Sequence, residues 1–135
     1  MPEKRTIKRA RKAKREGKSP TTQAGEFVHE EIEHIREGKH GARSTKQAIS
    51  IGLSKARRAG VKLKPPRKGQ ASARTRKRAA QDYRAGQSGT RRKTSAKRSR
   101  ASLRRLKREP KRTVSRKALS WQAKTAARRR RRATA

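Results

Sequence analysis

Residues 19–63 read SPTTQAGEFVHEEIEHIREGKHGARSTKQAISIGLSKARRAGVKL, and the fold of the chain turns on this stretch. Ser19-Pro20 offers an N-cap followed by Pro at the first helical position, where a missing N–H costs nothing. Ala24, Phe27, Val28, Ile32 and Ile35 then recur with helical spacing on one apolar face, and Gly38 and Gly41 stop the helix. Ser44-Thr45-Lys46-Gln47 is a capping-box pattern, in which the Ser hydroxyl accepts from the third helical N–H while Gln47 reaches back. Ile49, Gly52, Leu53 and Ala56 follow at i, i+3, i+4 and i+7, and Gly60 closes a second helix. The expectation is a helical hairpin of two helices, each about 15–18 residues long. Its core would be Phe27, Val28, Ile32, Ile35, Ile49, Leu53 and Ala56. Gly52 on the apolar face is either a weak spot or the point where the helices approach closely, with Phe27 or Ile32 filling the gap.

Outside this stretch the composition changes. The chain has 135 residues, with 45 Lys and Arg against nine Asp and Glu, a formal net charge of +36. Residues 1–18 carry nine basic and two acidic residues, net +7. Residues 19–63 carry eight and five, net +3, and residues 64–135 carry 28 and two, net +26. Nine of the 14 Leu, Ile, Val and Phe residues lie in the middle piece, so that piece alone has the makings of a core. The whole-chain share of these residues, about a tenth, is well below the roughly one-fifth expected of a folded domain of such charge.

The sequence therefore predicts an all-α chain in three parts. Residues 1–18 are a basic arm, 19–63 the hairpin, and 64–135 a Lys/Arg/Ala/Ser-rich tail. Both flanks are expected to be largely disordered when alone, and conditionally helical once phosphate cancels their repulsion. So thin a core needs either marginal stability or a partner, such as a homodimer through the Phe27, Val28 and Ile32 face.

Several kinds of chemistry drop out. The absence of Cys removes disulfides, thiolate zinc sites and cysteine nucleophiles. No apolar run approaches the ~20 residues needed to span a bilayer, and the charged N-terminal stretch does not resemble a signal peptide, so a cytoplasmic chain is expected. His29 and His34 lie five apart, whereas the zinc-protease helix needs two His residues four apart on one face. Gly38 to Thr45 is Gly-rich and basic but lacks the spacing of a phosphate-binding loop. No enzyme, metal site, cofactor or small-molecule substrate is expected.

Those residues still make a plausible anion site at a helix start, formed by Lys39, His40, Arg43 and Ser44, with Arg57 and Arg58 nearby; a plain interhelical turn is the alternative. Glu26, Glu30, Glu31, Glu33 and Glu37 are either loose charge balance for Lys46, Lys55, Arg57 and Arg58 or a face that binds a basic partner. The tail clusters are clearer candidates for phosphate contact. They are Arg74, Arg76, Lys77 and Arg78; Arg91, Arg92 and Lys93; Arg104 and Arg105; and Arg128, Arg129, Arg130, Arg131 and Arg132. At one charge per ~1.7 Å of duplex, +36 matches roughly 60 Å of DNA, about 18 base pairs. Tyr83 and Trp121 stand alone in the sequence, which argues against aromatic recognition of single strands.

Residues 23–63, and within them GKHGARSTKQAI (38–49) and GLSKARRAGV (52–61), resemble a small bacterial domain family of unknown function, sometimes labelled DNA-binding protein. The lead-in KREGKSPTTQAGEF (14–27) extends the resemblance to residues from about 10 onward, and the tail resembles histone-like tails in composition alone. The resemblance implies a bacterial origin and carries no activity. Together the readings predict a sequence-nonspecific nucleic-acid-binding protein, histone-like and nucleoid-associated, with DNA as the partner. An RNA-binding or ribosome-associated protein, and a protein-interaction module with polycationic tails, are the alternatives. No membrane partner is expected.

Overall fold

A computed structural model describes residues 2–89 and 95–134. Among them are six α-helices: α1 (Lys4–Arg15), α2 (Pro20–Arg36), α3 (Thr45–Arg58), α4 (Ala73–Ser88), α5 (Ala96–Lys107) and α6 (Arg116–Thr134), with a 3-10 turn at Arg112–Val114. Helices α2 and α3 run where the caps and glycines put them. The expected architecture is nevertheless wrong, because the flanks are helical and a two-helix hairpin with disordered arms is not what the chain forms. The chain divides into two compact units, Met1–Glu31 with Ser50–Thr94 and Ile32–Ile49 with Ser95–Ala135.

In the first unit, the N-terminal arm is drawn into the fold by small residues. Thr6, Ala10 and Ala13 are buried at i, i+4 and i+7 of α1, and Ile7 packs beside them against Ala24, Phe27, Ala56 and Val61. Glu30 holds the start of α1, its Oε1 accepting from the Glu3 N–H at 2.6 Å and the Thr6 hydroxyl at 3.0 Å. A carboxylate at this end also offsets the helix dipole and part of the repulsion expected to keep the arm open. Phe27 is 1% exposed, covered by residues of this unit. Leu53 packs against the same cluster, and Val28 is partly buried.

Helix α4 joins this unit through polar contacts. Asp82 accepts from the Ser54 hydroxyl at 2.8 Å and pairs with Arg58 at 3.4 Å, and the Gln87 amide donates to the Gly60 carbonyl at 3.1 Å. Ser72 caps the helix by accepting from the Thr75 N–H.

Gly52 is a point of close helix approach. A Cβ there would stand 2.6 Å from the Cα of Val28, so Val28, rather than Phe27 or Ile32, faces the glycine. Gly52→Ala should therefore destabilise the chain by about 1–3 kcal/mol, as overpacking does. Gly25 sits in α2 with open space around it, and Gly25→Ala should stabilise by about 0.5–1 kcal/mol. Urea midpoints of the two variants should move in opposite directions; a shift of the same sign would contradict the packing.

The second unit has its own small cluster, Ile35, Ala42, Ala48 and Val114, with Ile32 packed against it. Ile49 is partly buried. Val114 is 1% exposed, and the chain around it is stitched by backbone bonds. The Gly41 N–H donates to the Leu106 carbonyl at 2.8 Å and the Ala42 N–H to the Pro110 carbonyl at 3.0 Å. A Cβ on Gly41 would fall 1.8 Å from the Glu109 carbonyl oxygen, so only glycine permits this approach. The Arg36 guanidinium donates twice to the Val114 carbonyl, at 3.1 and 3.3 Å.

Helices α5 and α6 bury no residue. Their helicity rests on Ala, Arg, Lys and Leu, all strong helix formers, and on serine caps. Ser95 accepts from the Arg98 N–H at 3.2 Å, and Ser115 from the Ala118 N–H at 3.1 Å. Local propensity and capping thus order a tail whose apolar content alone suggested disorder. Among the described residues, no helix is long and apolar enough to cross a membrane.

Candidate nucleic-acid interface

The start of α3 carries the capping box read from the sequence. Ser44 Oγ accepts from the Gln47 N–H at 3.1 Å, while Gln47 Oε1 accepts from the Arg43 N–H at 2.6 Å, one residue before the cap. One of the N–H groups available to an anion is therefore occupied by the serine. Arg43 is exposed and Ser44 partly so. Lys39 is exposed and pairs with Glu37 at 3.4 Å. His40 is only 8% exposed, with Nδ1 2.9 Å from the Gly41 carbonyl. A carbonyl can only accept, so Nδ1 carries the proton and the ring turns inward.

Around this helix start, side-chain bonds bring in a segment about 70 residues away. Thr45 Oγ1 donates to the Thr113 carbonyl, and Thr113 Oγ1 donates to the Ala42 carbonyl at 3.1 Å. These bonds bring Arg112 to an open cleft of about 470 Å³ that Arg43, Lys46, and Trp121 and Gln122 of α6 also line. Arg43, Lys46, Arg112 and Trp121 are all exposed. Among the described residues, no acidic side chain lines the cleft. Lys46, Arg112 and Trp121 were not among the residues expected here. Arg112 has no local sequence signal linking it to Arg43, and nothing near Trp121 showed that its ring would stay outside.

The other unit offers a basic stripe. Lys4, Lys8, Arg11 and Arg15 follow one another along α1 beside Ile7 and line a shallow groove of about 440 Å³. At 1.5 Å per residue the stripe runs roughly 16 Å. Arg74, Lys77 and Arg78 of α4 are exposed and Arg76 is half-buried.

Arg57 departs most from expectation. It is 8% exposed, and its Nε and Nη2 donate to the carbonyls of Leu63 and Lys64 at 3.1 and 3.4 Å. Burial pushes its guanidinium below the ordinary value, and Asp82 partly opposes this. Arg57 ties down the chain leaving α3 and is not presented to a phosphate. Arg58 is exposed but engaged by Asp82 and by Ser54, which it meets at 2.9 Å.

Arg104, Arg105, Arg128, Arg129, Arg130, Arg131 and Arg132 are exposed on α5 and α6. Arg91, Arg92 and Lys93 lie outside the described residues. Two of the acids run the other way. Glu30 is 2% exposed and Glu31 fully buried, with Glu31 paired to Lys55. They are parts of the interior, so the charge balance with Lys55 read from the sequence is a largely buried pair, while Glu37 stays exposed.

No family model, curated protein or solved structure matches the chain.

Proposed function

We propose that the chain binds nucleic acid without regard to sequence, as a histone-like, nucleoid-associated protein that neutralises the phosphates of duplex DNA. The observation that carries this reading is the excess of cations left exposed on the helices, with few acids to offset it. Nine acids face 45 bases, and Glu30, Glu31 and Asp82 are committed to the fold. Lys and Arg remain exposed along α1, α4, α5 and α6. An excess of this size attracts a polyanion, and the binding energy comes from counterion release, which carries no sequence information. The reading assigns the chain no reaction and no cofactor.

Affinity purification of the full chain from a bacterial lysate, with separate DNase and RNase digestion, tests the choice of polymer. Recovery of DNA that only DNase abolishes is expected. Recovery of RNA alone would transfer the reading to an RNA-binding protein, and recovery of neither would overturn it.

The share of α6 can be measured separately. Replacing Arg128, Arg129, Arg130, Arg131 and Arg132 by Gln removes five charges that hold no core. The slope of log K against log salt on duplex DNA should become shallower by as much as about 4.5. Circular dichroism should show both units still folded. An unchanged slope would remove this cluster from the interface.

A further inference from the structure

We infer that the cleft between the start of α3 and α6 seats an unpaired nucleotide, its base stacked on Trp121 and its phosphate held by Arg43, Lys46 and Arg112. The inference deepens the nucleic-acid reading and rests on it. Trp121 is the chain's one tryptophan and is 67% exposed. No residue of α6 is fully buried, so the indole is not part of a core there. An exposed indole in so polar a chain leaves a large apolar face in water, which is unfavourable unless something covers it.

The surroundings narrow what that covering group can be. Three cations and no acid line the cleft among the described residues, so the occupant carries negative charge. The indole requires a flat apolar face on the same occupant. The Gln122 amide, which also lines the cleft, can donate to and accept from a base edge. The volume, about 470 Å³, is within the ordinary range for a small-ligand site. A nucleotide combines anion, flat ring and polar edge, but only when unpaired, because the bases of a duplex are already stacked on their neighbours. Stacking on an aromatic ring is tolerant of base identity, which agrees with binding that ignores sequence.

The position of Trp121 makes the test direct, since the chain's one tryptophan lines the cleft. The full chain is titrated with oligothymidylate, oligouridylate and a blunt duplex carrying the same number of phosphates. Quenching by either single strand, without quenching by the duplex, is expected. Trp121→Leu should weaken single-strand binding about tenfold and leave duplex binding unchanged. The triple variant Arg43→Gln, Lys46→Gln and Arg112→Gln should lose more single-strand affinity than Arg130→Gln, Arg131→Gln and Arg132→Gln together. Circular dichroism checks that each variant keeps its helices.

Equal quenching by duplex and single strand, or single-strand binding that leaves the fluorescence and the Trp121→Leu affinity unchanged, would overturn the cleft assignment and leave duplex binding standing. Failure of the chain to bind any of the three at low salt would overturn the nucleic-acid reading, and this inference with it.

Discussion

A peptide of residues 19–63 should fail to hold its two helices together. Read alone, this stretch has a thin core, and the groups that complete its packing come from the flanks. Ala10 and Ile7 of α1 cover Phe27 and Ala56, and Val114 closes the cluster of Ile35, Ala42 and Ala48. Arg36 and Thr45 would lose the carbonyls of Val114 and Thr113. Each fully buried aliphatic side chain is worth about 1.5–3 kcal/mol, and small domains have only about 5–15 kcal/mol in all. The peptide should show weak helicity and a broad, non-cooperative melt, and the full chain should melt more sharply. A cooperative transition in the peptide would restore the independent hairpin.

Lys55→Met should produce the largest loss from a single side chain. Glu31 is fully buried, and the Lys55 ammonium, itself only 24% exposed, is the cation set against it. Removing the ammonium leaves a carboxylate in the interior without that charge, a change that typically costs about 3–5 kcal/mol. The double variant Glu31→Leu with Lys55→Met removes both charges and should recover most of the loss. Denaturation midpoints of wild type and the three variants complete the cycle. Additive losses would mean that the two groups are not coupled and that Glu31 is held by its other neighbours.

The two central helices were legible because their boundaries are written locally, in Ser19-Pro20, the glycine pairs and the Ser44–Gln47 box. Their surroundings were not. The buried stripe of α1 is Thr6, Ala10 and Ala13, and a count of large aliphatic residues overlooks all three. Helix α4 is fastened by Asp82, Ser54 and Gln87, polar residues that sequence patterning assigns to solvent. Val114 stands alone in a basic stretch, and long-range bonds to Arg36, Gly41, Ala42 and Thr45 make its segment part of the core.

The candidate site divides along the same line. The exposed arginines of the tail are readable as charge density, because exposure is the default for Arg. Arg57 and His40 look the same in sequence but turn inward, toward carbonyls that a linear reading cannot place. Trp121 invites the opposite error. An isolated tryptophan argues for a missing stacking surface only if stacking needs neighbours in sequence, and here Arg43 and Arg112 come from other segments.

The most direct measurement is the salt dependence of binding. Fluorescence anisotropy of the full chain on two labelled duplexes of unrelated sequence, over a series of salt concentrations, gives log K against log salt for each. Two nearly coincident straight lines with a steep negative slope are expected; ten phosphate contacts would give about −9. A slope near zero, or strong binding to one duplex and not the other, would contradict the proposed function.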